Sequence, residues 1–246
     1  MFNKLEQARI KLINELNEGK KSGEEQGWIS LDKAQKILFE KTKGEPKMTY
    51  EYEQELLNEG YKIVCGIDEA GRGPLSGPVC AAAVILPMNC EIEGINDSKK
   101  LSEKKREKLF DIIIEKALAC SIEFVDAQTI DDINILQATF LAMRTAVENL
   151  ELAPDVALID GNQKPKLQIE ERTLVKGDAK SISIAAASIL AKVSRDRYML
   201  ELDAKFPQYG FCKHKGYGTK LHYEMIAEHG ITNEHRKTFL KKILGE

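Results

Sequence analysis

A chain of 246 residues with 43% hydrophobic and 30% charged content has enough apolar material for one large domain, or for one domain with an appendage. No apolar run approaches the roughly 20 residues needed to cross a bilayer, and the amino-terminal MFNKLEQARIKLINELNEGKK is charged and helix-patterned, unlike a signal peptide, so the expectation is a cytoplasmic protein without membrane contact. The five cysteines form no CxxC pair, which argues against a disulfide framework or a zinc site, and the net charge of −3 gives no bulk signature of nucleic-acid binding.

Residues 1–60 read as helical: an amphipathic stretch from Lys4 to Leu16, a second after WISLDKAQKILFE and a third around YEYEQELLNEG. They carry no acid-rich strand end and no glycine loop, and are expected to be an accessory region beside a chemical domain over 61–246. From Lys62 the pattern changes. KIVCGID and GPVCAAAVILP read as strands whose glycine- and proline-rich connection is too short for a crossover helix, so they should pair antiparallel. A charged helix follows from Ser102 to about Ala119, starting inside the basic segment DSKKLSEKKREK, and then SIEFVDA as a third strand. INILQATFLAMRTAVENL places Leu136, Phe140, Met143, Val147 and Leu150 on one helix face. DVALIDGN and RTLVKGDAK are two more strands, each ending in an acid. SISIAAASILAKVSRDRYMLELDAKF is a long helix with Ile182, Ala186, Ile189 and Val193 along one side. These elements make an α/β fold, a mixed five-stranded sheet flanked by helices, with a further helical, substrate-contacting segment expected over 205–246.

Four acids stand at strand ends or a helix start: Asp68, Glu69, Asp160 and Asp178. Neighbouring side chains of a strand point to opposite faces, so Asp68 and Glu69 can address one ligand only at the strand's end, where the glycines of AGRGP let the chain turn. Taken singly, Asp160 before Gly161 is a turn residue and Asp178 before AKSIS a helix cap. Taken together, four like charges at the carboxyl end of a sheet call for cations, and oxygen-only ligation points to magnesium or manganese. Such a cluster fits phosphodiester hydrolysis with two divalent ions. GRGPLSG is a poor dinucleotide loop, because Pro74 interrupts it and a strand follows. A two-carboxylate glycosidase leaves two of the acids without a role.

GIDEAGRGPLSGPVCAAAVIL, INDSKKLSEKKRE, INILQATFLAM, LIDGN, VKGDAKSISIAAASILAKVSRDRYM and YGFCKHKGYGTKLH resemble, in this order from about Tyr61 to His222, the blocks of the bacterial ribonuclease HII family. The resemblance implies a ribonuclease H-like fold and hydrolysis of the RNA strand of RNA/DNA hybrids. It also implies cutting 5′ of single ribonucleotides in duplex DNA, as in ribonucleotide excision repair, leaving 3′-hydroxyl and 5′-phosphate ends. The family's four acidic positions fall on Asp68, Glu69, Asp160 and Asp178, its 2′-hydroxyl-reading turn on Gly71, Arg72 and Gly73, and its junction-sensing tyrosine on Tyr217. Lys99 in the basic segment is expected to hold phosphates; Lys180, Arg195 and Arg197 are read either as touching the nucleic-acid backbone or orienting the acids, or equally as forming salt bridges inside the fold. His214 and His222 are at most substrate contacts. The chain is expected to work as a monomer on hybrid duplex and ribonucleotide-containing DNA; a hybrid-only enzyme of the ribonuclease HIII type and a non-catalytic hybrid-binding module are the alternatives.

Overall fold

The structure, a computed structural model, describes residues 49–245. The helices expected over Lys4–Leu16 and after WISLDKAQKILFE lie outside these residues; the third is helix α1, Glu51–Asn58. Five strands follow: β1 (Val64–Ala70), β2 (Val79–Ile85), β3 (Ala119–Val125), β4 (Val156–Asp160) and β5 (Glu170–Leu174). They form one sheet in the order β3-β2-β1-β4-β5. β2 pairs antiparallel with both β1 and β3, while β1, β4 and β5 run parallel. The sheet is therefore mixed, and the antiparallel β1–β2 pair is the one that the short glycine-proline connection requires.

β2 is buried on both faces, which is why VCAAAVI reads as an unbroken apolar run. Its Val79, Ala81, Ala83 and Ile85 join Cys65 and Ile67 of β1 in one core layer, and Cys80, Ala82 and Val84 point into the other. All five cysteines are free thiols, and Cys65 and Cys80 are small core residues here.

Helix α2 spans Glu103–Lys116, with Ser102 as its cap, its side chain accepting from the Lys105 amide. The first core layer is closed by α3 (Ala127–Glu148), which starts six residues before the expected Ile133. The expected start lies at an interruption: Asn134 has φ of 67°, and its side-chain oxygen accepts from the amides of Leu136 and Gln137, recapping the helix. The face turned to the sheet matches expectation only in part: Met143 and Leu150 are buried, and Phe140 and Val147 pack against the core from its edge. Ala138, Thr139, Ala142, Met143 and Ala146 are buried, whereas Leu136, Phe140 and Val147 are half-buried flanks. Alanines let the helix axis come close to the sheet, and the larger side chains splay to either side.

The second layer is closed by α2 and by α4 (Ile182–Lys205), whose Ile182, Ala186, Ile189 and Val193 are buried as expected. α4 begins hard against β1. Gly66 has backbone atoms of Ser183 and Ile184 within 2.1–2.4 Å of where a Cβ would stand. The run RTLVKGDAK does not continue as a strand to its acid: β5 stops at Leu174, and Asp178 sits in a single 3-10 turn, Gly177–Ala179. Beyond α4 come α5 (Phe211–His214), α6 (Lys220–His229) and α7 (Lys237–Leu244). Met199, Leu202, Tyr209, Phe211, Ile226 and Leu240 give this carboxyl-terminal segment its own apolar cluster.

Candidate active site

The parallel pairing of β1 with β4 runs up to Ile67 opposite Ile159, which leaves Asp68 and Asp160 side by side at the carboxyl ends of adjacent strands. The turn after β5 brings in Asp178. One carboxylate oxygen from each of the three lies within 4.8 Å of the others. Each acid is held: the Glu69 amide donates to Asp68 Oδ1 at 2.7 Å, the Gly177 amide to Asp160 Oδ1 at 2.7 Å, and Lys99 Nζ to Asp178 Oδ2 at 3.3 Å. Asp97 caps the short turn Ser98–Lys100 and so orients Lys99.

Glu69 stands one residue further along β1 and, by the pleat, leaves on the other side from Asp68. It is outside the three-oxygen group. Its Oε1 accepts from Arg72 Nη1 at 3.4 Å, and it lines the same cleft of about 230 Å³. That cleft is also lined by Asp68, Gly71, Arg72, Gly73, Lys99, Asp160 and Tyr217. Lys180 is exposed and is not among the lining residues.

Ala70, Ser98, Ser188, Lys192 and Arg195 complete the lining, and of these only Arg195 is singled out by the sequence. Ser188 hydrogen-bonds to Asp68, and its Oγ lies 2.9 Å from that of Ser98; Lys192 donates to Asp196 at 2.6 Å. A signal for them exists. Ser188, Lys192 and Arg195 recur at steps of four and three along α4, the period of a single helix face.

Crowding of like charge marks the site. Burial first, then the neighbouring Glu69 and Asp160, push Asp68 well above the usual carboxylate range. Burial also raises Glu69 against the opposing pull of Arg72, and raises Asp178, with Asp160 adding to burial and Lys99 opposing it. Burial draws Lys99 down, but Asp178 and Asp68 outweigh it and its net shift is upward. Three convergent carboxylates, of which Asp68 and Asp178 are buried with raised proton affinity, and one ammonium group among them suit a hard divalent cation, which wants oxygen ligands.

The pH consequence has a definite sign. A carboxyl raised in the folded state stabilises the fold below its unfolded value and loses that contribution as pH rises through the folded value. A cation that requires the same groups ionised then replaces the lost stabilisation. Millimolar Mn²⁺ is therefore expected to raise the melting temperature more at pH 8.5 than at pH 6. Differential scanning fluorimetry checks this, and an increment independent of pH would disconnect the ion from these acids.

The loops beside the acids are tied from within. Gly71, at φ +96°, would place a Cβ 2.0 Å from Arg195 Nε, so no side chain fits there. Arg236, fully buried, donates to the carbonyls of Gly71, Arg72 and Gly77. Arg195 lines the cleft but is buried, and its guanidinium donates to the carbonyls of Ser76, Pro78 and Lys215. Arg197 instead pairs with Glu107 at 2.5 Å. Tyr217, 47% exposed, comes within 3.6 Å of where a Cβ of Gly73 would lie, which brings the tyrosine ring beside the glycine-arginine-glycine turn.

His214 and His222 are not surface contacts. His214, His222 and His235 are buried, and the rings of the first two stack at 4.4 Å. The Gly216 and Thr232 amides donate to Nδ1 of His214 and His235, so in the neutral rings Nε2 carries the proton in both. His235 Nε2 then donates to His222 Nε2 at 3.2 Å, and His222 Nδ1 donates to the Tyr217 carbonyl at 3.0 Å. Burial pushes His222 and His235 down to about 4, which keeps this relay uncharged at neutral pH.

Comparison with known proteins agrees with this geometry. The family model described as Ribonuclease HII matches residues 65–243. Ribonuclease HII of Caldicellulosiruptor bescii is 57% identical over 195 residues, covering 79% of this chain and 95% of the relative. Ribonuclease HII of Aliivibrio fischeri strain MJ11 is 53% identical over 210 residues, covering 85% of this chain and 99% of the relative. Among solved structures, ribonuclease H2 from Pyrococcus horikoshii OT3 superposes with a TM-score of 0.61 at 29% identity, over 72% of this chain and 93% of that one. A fold of this kind, an acid cluster at the carboxyl ends of its parallel strands and relatives of this closeness lead to one statement: the chain belongs to the ribonuclease HII family and is a ribonuclease acting on RNA/DNA hybrids.

Proposed function

We propose that the protein cuts duplex DNA 5′ of a single embedded ribonucleotide as well as within longer hybrids, leaving 3′-hydroxyl and 5′-phosphate ends. The observation that carries this reading is the convergence of Asp68, Asp160 and Asp178 beside the Gly71–Gly73 turn and Tyr217. Chemistry on a phosphate and recognition of the neighbouring sugar then occur in one cleft. Asp68, Asp160 and Asp178 are the residues to hold two divalent ions, magnesium or manganese, with Glu69 assisting from across the pleat. Bound there, such ions acidify the attacking water and steady the leaving oxygen.

The chain's own groups do the rest. Gly71 and Gly73 carry no side chain between the main chain and a ribose, so the turn can approach a 2′-hydroxyl, the group that separates RNA from DNA. Arg72 at the cleft and Lys99 offer charge to the phosphates on either side, which positions the duplex without reading sequence. Tyr217 offers a ring face next to the turn, where the sugar after the ribonucleotide would lie.

Three labelled duplexes test this: one with a single ribonucleotide, one long hybrid and one all-DNA control. Expected is a single magnesium- or manganese-dependent cut on the 5′ side of the lone ribonucleotide and none in the control. Efficient cleavage of the long hybrid with the single-ribonucleotide duplex left intact would instead assign the hybrid-only specificity of a ribonuclease HIII-type enzyme.

A further inference from the structure

Glu53 lies in α1, upstream of the segment that matches the family model, and is 1% exposed. Its Oε1 accepts from Ser181 Oγ at 2.6 Å and from the Ser183 amide at 3.0 Å, across 128 and 130 residues of chain. Among the described residues, Oε2 has no hydrogen-bond partner. A buried carboxylate with a bare oxygen is unfavourable unless its surroundings favour negative charge. They do so here, because Glu53 sits at the amino end of the 24-residue α4, where unpaired amides and the aligned peptide dipoles attract an anion.

Ser181, the cap of α4, donates its hydroxyl proton to Glu53 while its oxygen accepts from the Ile184 amide at 3.2 Å. Thr49 bridges the main chain of Ser181 on the same side. The first amides of α4 are thus shared between Ser181 and a residue from a remote helix. Asp178 is the nearest acid along the chain and the residue from which local sequence would expect the capping. Its carboxylate instead meets Lys99 and lies with Asp68 and Asp160.

We propose that Glu53 is a positioning residue for the metal site: by taking over the amino end of α4, it leaves the Asp178 carboxylate free to face Asp68 and Asp160. The proposal rests on the reading of these acids as ligands of a divalent cation. Without Glu53, the amino end of α4 draws Asp178 toward itself, and the site loses a ligand at the moment the ion must bind.

Calorimetric titration of Mn²⁺ into the full-length protein, without nucleic acid, reads this directly. Glu53→Ala is expected to weaken Mn²⁺ binding about tenfold, the scale on which residues supporting a ligand act. Glu53→Gln, whose amide oxygen can accept the same two hydrogen bonds, should stay within about twofold of the wild type. A folded Glu53→Ala protein with unchanged Mn²⁺ affinity overturns the proposal, as does Glu53→Gln falling as far as Glu53→Ala. Should Glu53→Ala not fold, Ser181→Ala removes the hydroxyl donor to Glu53; a clear weakening of Mn²⁺ binding supports the proposal, and unchanged affinity overturns it. Absence of Mn²⁺ binding to the wild type itself would instead sink the reading of the acid cluster.

Discussion

Asp160→Asn is expected to lower the turnover of an RNA/DNA hybrid by on the order of 10³-fold or more, while the affinity for uncut hybrid stays within about threefold. The substitution is nearly isosteric. The asparagine oxygen can still accept from the Gly177 amide that now donates to Asp160 at 2.7 Å, so the turn carrying Asp178 keeps its place. What disappears is the negative charge at the centre of the three-oxygen group. A charge that holds cations against a phosphate in the transition state contributes several kcal/mol, and about 4 kcal/mol corresponds to roughly 10³ in rate. In the proposed reading, hybrid binding rests on phosphate contacts and on the turn and tyrosine beside the acids, which the change does not touch. Single-turnover cleavage of a labelled hybrid, paired with fluorescence anisotropy for binding, separates the two quantities. Turnover within tenfold of the wild type would remove Asp160 from the proposed ligand set.

Gly66→Ala is expected to cost more than about 3 kcal/mol of folding stability, beyond the usual range for an added core methyl group. The reason is the identity of the neighbours. A Cβ at this position would lie 2.1 Å from the Ser183 carbonyl carbon and 2.4 Å from the Ile184 nitrogen, both main-chain atoms that no rotamer change can move aside. The whole amino end of α4 would have to lift from β1. That end carries Ser181 and Ser183, which Glu53 holds, and one turn further on Ser188, which bonds to Asp68. Denaturant titration measures the loss. A decrease of less than 1 kcal/mol would show that α4 can rise off the sheet freely, contrary to the close approach seen here.

Both substitutions bear on one junction, where β1, β4 and the start of α4 meet. Parts of it are legible residue by residue. β2 announces itself as a buried strand because seven consecutive small or branched apolar residues suit nothing else in a chain this polar. Asp68, Glu69 and Asp160 stand at the ends of short apolar runs, and the pleat alone separates Asp68 from Glu69. Asp178 is different. Local sequence makes it a helix cap or the end of a strand, and it is neither: Ser181 caps α4, and β5 has ended four residues earlier. Likewise His214 and His222 look like polar residues of an exposed loop, yet they stack on one another in the interior because each ring nitrogen finds a main-chain or histidine partner. Arg195, expected to touch the nucleic-acid backbone or orient the acids, instead holds the carbonyls of Ser76 and Pro78, beside Arg236, which holds those of Gly71 and Arg72.

Read by itself, the amino-acid order determined the succession of strands and helices, the antiparallel β1–β2 pair, the acids placed at strand ends and the membership of a nuclease family. The first three depend on periodicities of two and about 3.6 residues and on turn chemistry, which act over a few neighbouring positions; the family shows in the likeness of whole sequence blocks in one order. Only the tertiary structure decided which helix face meets the sheet, that Asp178 turns away from the helix it precedes, and that Glu53 from a distant segment takes its place. Those outcomes are settled by competition among groups that are far apart in the chain for the same few unpaired amides and the same small volume, and no local pattern records who wins.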